Sequence, residues 1–90
     1  MLYMVIERFK GGSPRPIYER LDTQGRMMPE GLVYIDSWIS EDLTTCWQVM
    51  ETESLDLLNE WISQWDDLVD FEVVPVMSSA DARAKAFSTE

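Results

Sequence analysis

Two eight-residue runs of β-forming character, LVYIDSWI at 32–39 and TTCWQVME at 44–51, are separated by only four residues, Ser40 to Leu43. A gap that short between two strands leaves room for a hairpin and not for a parallel crossover, which needs a dozen residues or more. The rest of the chain must be arranged around that antiparallel pair. Residues 1–8, MLYMVIER, form another apolar run rich in β-formers and are closed by Gly11-Gly12. Residues 69–76, VDFEVVPV, alternate Val69, Phe71 and Val73 against Asp70 and Glu72. Pro75 near the end of that run predicts an edge strand, because proline cannot donate to the ladder.

Helical signals fill the two longer gaps. Ser13 is placed as an N-cap, with Pro14 and Pro16 in the first turn, where a missing N–H costs nothing. Ile17 and Leu21 lie four apart on one stripe, and the helix is expected to end near Gly25 or run on to Met28. Pro29-Glu30-Gly31 is a turn. Thr52 or Ser54 caps the second helix, whose apolar stripe is Leu55, Leu58, Ile62 and Trp65, widened by Leu57 and Trp61. Asp66-Asp67 would be unfavourable at the negative end of a helix and is expected in the turn beyond it. A tail from Ser78 to Glu90, rich in alanine, is expected to form a short helix with Phe87 as its one large apolar side chain.

The order strand, helix, strand, strand, helix, strand is the ferredoxin-like βαββαβ unit, an α+β fold with a four-stranded antiparallel sheet. Residues 1–77 are expected to make the domain and 78–90 the tail. Both helices must cover one sheet face, so the other is left bare. If Ile39 opposes Thr44, one hairpin face is aliphatic (Val33, Ile35, Ile39, Met50) and suits the helices. The other then carries Tyr34, Asp36, Trp38 and Trp47, a face fit to meet a second copy of the chain.

Composition removes several function classes. Seventeen acidic and seven basic residues give a net charge of −10, which argues against nucleic-acid binding. The chain has no histidine, so a Ser-His-Asp triad, a histidine base and a histidine haem ligand are excluded. One cysteine cannot form an internal disulfide or a Cys/His zinc site. The charge-free runs are far shorter than the roughly 20 residues of a membrane helix. The apolar start of the chain stops at Glu7 and Arg8, too soon for a signal peptide, and the expectation is a cytoplasmic protein. Neither a metal nor another cofactor is expected.

Four segments carry a resemblance: MLYMVIERFK at 1–10, GRMMPEGLVYIDSW at 25–38, CWQVME at 46–51 and LLNEWISQWDDLVDFEVVPV at 57–76. Through them the chain resembles a family of short bacterial proteins known only as a domain of unknown function, within the dimeric α/β-barrel superfamily of ferredoxin-like folds. The resemblance implies a homodimer whose two sheets face each other around a shared cavity. It implies no established activity. Relatives in the wider superfamily include cofactor-independent monooxygenases, lactone isomerases and haem-dependent enzymes. Several of those enzymes use a histidine that this chain lacks, so no catalytic residue is carried over.

The candidate residues come from the chain itself. Asp36 and Glu7 are the candidate acid–base groups, with Glu72 beside them, since a carboxyl in an apolar cavity has a raised pKa. The competing reading of Asp36 is a solvated, capping or arginine-paired carboxylate. Arg8 and Arg26 suit a carboxylate or phosphate clamp, or equally a structural ion pair. Tyr3, Tyr34, Trp38, Trp47 and Phe71 suit either a ligand pocket or a dimer interface. Trp61 and Trp65 read as core, and Cys46 as a buried, inert thiol. Three functions remain open. The first is a binder of a small neutral or cationic molecule in an aromatic cavity between the sheets. The second is a cofactor-independent enzyme, monooxygenase- or isomerase-like, that uses a buried carboxyl. The third is an interaction module with no cavity.

Overall fold

The computed structural model describes residues 1–88. Its elements are β1 (Leu2–Phe9), α1 (Arg15–Gln24), β2 (Leu32–Ile39), β3 (Thr45–Thr52), α2 (Leu55–Ser63), β4 (Val69–Val76) and α3 (Ser79–Ser88). The four strands form one antiparallel sheet in the order β2-β3-β1-β4. This is the ferredoxin-like βαββαβ arrangement followed by a C-terminal helix. β4 is an edge strand, as Pro75 requires. β1 lies between β3 and β4, and its alternating Val5, Glu7 and Phe9 side chains are buried.

Local chemistry sets the element ends. The Arg15 N–H bonds Ser13 Oγ at 3.2 Å, while Pro14 already has helical angles and occupies the cap position itself. Asp66 and Asp67 fall in the turn after α2. The Asp67 carboxylate there takes two bonds from the Arg20 guanidinium, at 2.8 and 2.7 Å, which ties this turn to α1. Gly31 enters β2 with φ +94°, and a Cβ there would lie 2.9 Å from Leu57 Cδ1, so both conformation and space favour glycine.

The hairpin register differs from the expected one in two ways. Ile39 pairs with Cys46, two residues further along than expected, which leaves the faces near the turn unchanged. The pairing then shifts between Tyr34 and Asp36, where Ile35 is the extra residue of a β-bulge. The bulge exchanges the faces of the first half of β2. Tyr34 therefore points to the helical side, opposite Met50, while Val33 and Ile35 stand exposed.

Val5, Met50, Leu58 and Val69 form the fully buried centre, with Trp61 and Trp65 of the α2 region closing over it. Among the described residues, none covers the far face of the sheet. Trp38 and Trp47 are cross-strand partners there and are 55% and 39% exposed. α3 has no buried residue. Among the described residues, no helix is long and apolar enough to cross a membrane.

Candidate functional site

The strand alternation that buries Val5 and Phe9 also buries Glu7, between Cys46 on β3 and Phe71 on β4. Only 7% of Glu7 is exposed, and its Oε2 has no hydrogen-bond partner among the described residues. Burial pushes its carboxyl up to about 7, and the Arg26 guanidinium partly offsets that rise. On β3, burial and then the Glu7 charge push the Cys46 thiol up to about 12. Gln48, the next residue on this face, is buried and donates from Nε2 to the sulfur of Met50 at 3.2 Å.

These groups floor a cavity of about 90 Å³ between the sheet and the helices. Trp61, Trp65, Phe9 and Tyr18 supply aromatic walls, and Ser37 and Arg26 add polar groups. By comparison, an engineered apolar cavity of about 150 Å³ holds one benzene molecule, so this one takes roughly four non-hydrogen atoms.

Arg26 is held from both ends. Its carbonyl accepts the indole N–H of Trp61 at 2.9 Å and of Trp65 at 3.2 Å. Its guanidinium lies 3.8 Å from the centre of the Tyr34 ring, a cation–π stack. The Tyr34 hydroxyl in turn shares a 2.6 Å bond with the Ser37 hydroxyl, across the bulge. Gly25 and Met27, at φ +67° and +57°, bend the chain on either side of Arg26. Trp61 also meets Phe71 edge to face at 5.7 Å.

The residues picked out from the sequence are divided between the two faces of the sheet. Glu7 and Arg26 line the cavity, and Tyr34 supports Arg26 from beneath. Tyr3 lies on the same side, between Met50 and Pro75, outside the cavity lining. Asp36, Trp38, Trp47 and Arg8 lie on the uncovered face. Arg8 pairs there with Glu72 at 3.1 Å. Asp36 accepts the backbone N–H of Ser37 at 2.8 Å, which is the capping role weighed against catalysis. The grouping of Tyr34 with Asp36 and Trp38 is therefore corrected by the bulge. Ser37, Gln48, Trp61 and Trp65 were not among the sequence-derived site residues. Gln48 had a signal: like Glu7, it is a polar residue at a buried parity between apolar neighbours, Cys46 and Met50.

A small βαββαβ protein with an ionisable carboxyl sealed beneath its helices is the class that fold and site define together. The chain belongs to the DUF3303 family, a domain of unknown function whose family model matches residues 1–89. No curated protein matches it. Among solved structures it is similar to the crystal structure of protein Atu4242 from Agrobacterium tumefaciens. That similarity is 15% identity over 88% of this chain and 96% of that one, with a TM-score of 0.52, and shows the fold alone.

Proposed function

We propose that this protein binds a small molecule in the cavity between its sheet and its helices, with Glu7 as the buried polar anchor. The observation that carries the reading is the unpartnered Glu7 Oε2. A buried polar atom without a partner costs about 1–3 kcal/mol, and a core position flanked by Val5 and Phe9 would be filled more cheaply by an apolar residue. A ligand donating to or accepting from that carboxyl removes the deficit. In this reading the site lies beneath the helices, whereas a cavity between two sheets would use Trp38 and Trp47.

A second copy of the chain is the proposed occupant of the uncovered face. Trp38, Trp47, Val33 and Val74 are all substantially exposed on it. Arg8 and Glu72 neutralise each other on that surface, which eases its burial. The cavity and the dimer contact then lie on opposite sides of one sheet.

The enzyme reading has one specific observation in its favour. A carboxyl at about 7 is poised to take and return a proton at neutral pH, as a general acid–base group must. The catalytic candidate in that case is Glu7.

Native mass spectrometry of the gently desolvated protein tests the binding reading. A dimer of 21 kDa, twice the 10.5 kDa chain, with an added small mass is the expected species. Glu7→Gln should lose or weaken retention of that mass, and Asp36→Asn, on the other face, should keep it. Retention unaffected by Glu7→Gln and lost on Asp36→Asn would move the ligand to the sheet–sheet face. Turnover abolished by Glu7→Gln with binding kept would establish the enzyme.

A further inference from the structure

We infer that the ligand of this cavity is a short carboxylate bearing a carbonyl or hydroxyl group, its carboxylate paired with Arg26 and its second polar group bonded to Glu7. The inference rests on the reading of the cavity as a ligand site and adds the chemistry of what fills it.

Arg26 is the first observation. Arg8, Lys10, Arg15 and Arg20 each have a carboxylate within ion-pair distance. Among the described residues Arg26 has none, in a chain with seventeen acids. It is nevertheless anchored, by two indole bonds to its carbonyl and by its stack on Tyr34. Fixing a cation this firmly with Glu7 in its field but no carboxylate within ion-pair distance leaves one charge-assisted bond to be made by something else. Arg26, Tyr18 and Ile39 of the lining are exposed while Glu7, Cys46 and Gln48 are buried, so the anion belongs at the open rim.

Size and polarity define the remainder. The cavity accepts roughly four non-hydrogen atoms, too few for a ring system carrying substituents. Its walls are largely aromatic and aliphatic, with Glu7, Ser37 and Gln48 as the internal polar groups. A three- or four-atom end containing one carbonyl or hydroxyl fills it and satisfies Glu7. The carboxylate then remains at Arg26.

The charges around Glu7 set the pH behaviour. Facing it are Arg26 from the segment after α1, Cys46 from β3 and Tyr18 from α1. Cys46 stays neutral well above physiological pH. With Glu7 protonated, Arg26 is the one formal charge in the lining. Once Glu7 ionises, the anion meets a like charge, so affinity falls as pH rises through about 7.

The experiment titrates the intact protein with 4-oxopentanoate, its neutral analogue 4-oxopentanamide, and pentanoate, which lacks the inner carbonyl. The readout is the NMR shifts of the Trp61 and Trp65 indole N–H groups, with affinities in the millimolar range suited to such small probes. 4-Oxopentanoate is expected to bind about tenfold or more tightly than either analogue, the margin of one charged or buried hydrogen bond. Arg26→Met keeps the backbone carbonyl that the indoles need and should erase the preference for the acid over the amide, with Arg26→Lys restoring part of it. Glu7→Gln should erase the weakening above pH 7. If the amide binds as well as the acid, the carboxylate inference is overturned while the cavity remains a binding site. If pentanoate binds as well as 4-oxopentanoate, the second polar group is overturned. If no probe shifts either indole, the cavity reading falls and this inference with it.

Discussion

Glu7 and Cys46 are register partners on β1 and β3, and the carboxylate of the first adds to burial in pushing the thiol of the second up to about 12. The two groups share the floor of one cavity, and each ionises there only at a pH above its ordinary range. Their arrangement makes the protein's stability depend on pH in a direction opposite to that of most carboxylates.

The sign follows from proton counting. Glu7 has an ordinary value of 4.5 in the unfolded chain and about 7 in the folded one. Between those values the unfolded chain releases a proton that the folded chain keeps, so stability falls as pH rises through this window and levels off above 7. The total loss is on the order of 3 kcal/mol, at about 1.4 kcal/mol per pKa unit. Asp42 and Asp67, whose carboxyls hydrogen bonding holds below the usual range, act oppositely and lose their contribution only at lower pH. Glu7→Gln should match the parent near pH 4.5 and exceed it by about 1–3 kcal/mol at pH 8. Urea unfolding at both pH values measures this. A parent that is more stable than the variant at pH 8 would mean that Glu7 has a partner when ionised.

Cys46 should be inert in the folded state. A thiol raised to about 12 holds almost no thiolate at neutral pH, and the thiolate is the nucleophile. Modification by iodoacetamide is expected only at the rate of global unfolding, rising with urea in step with the unfolding transition. Glu7→Gln should change this little, since burial is the larger cause. Fast labelling of the native protein would show that β3 opens locally.

How far the sequence discloses this molecule depends on which residues are asked. The order of elements, the edge position of β4 and the turn at Asp66-Asp67 follow from spacing, Pro75 and helix-end electrostatics. Glu7 is legible as a carboxyl in an apolar strand. Tyr34 is not, because a single extra residue at Ile35 reverses the face of everything before it, and no local preference in LVYIDSWI marks the bulge. Trp61 and Trp65 read as core from periodicity, and they are buried, at 4% and 3% exposed. That their indole N–H groups converge on the Arg26 carbonyl is a long-range fact, 35 and 39 residues away in sequence. Arg26 therefore enters as an isolated cation in the sequence and becomes a positioned one only in the fold.

The paired indole bonds predict a graded response. Trp61→Phe removes one bond to the Arg26 carbonyl and keeps an aromatic ring against Phe71; Trp65→Phe removes the other. Each should cost about 1–2 kcal/mol, a buried hydrogen bond together with a modest loss of packing. The double variant should lose more than the sum, because the carbonyl is then left with neither indole. Thermal denaturation of the four proteins gives the cycle. Strict additivity would show that the two bonds do not share the acceptor in solution.

The uncovered sheet face yields the prediction that bears on assembly. Trp38 and Trp47 stand opposite each other on β2 and β3 at the surface, so neither supports the core beneath the helices. Replacing either by glutamate places a charge where the proposed second copy packs, and burying that charge unpaired costs several kcal/mol. Trp38→Glu and Trp47→Glu should each sediment as a 10.5 kDa monomer under conditions where the parent is a dimer. Their far-ultraviolet dichroism should be unchanged. Cys46 should remain protected in both, since it lies on the other side of the sheet. Arg8→Ala should weaken the dimer less directly, by leaving Glu72 unneutralised on the same face. A parent that is monomeric at all concentrations would remove the second copy as the occupant. A Trp47→Glu protein that stays dimeric would place the contact on an edge or on α3 instead.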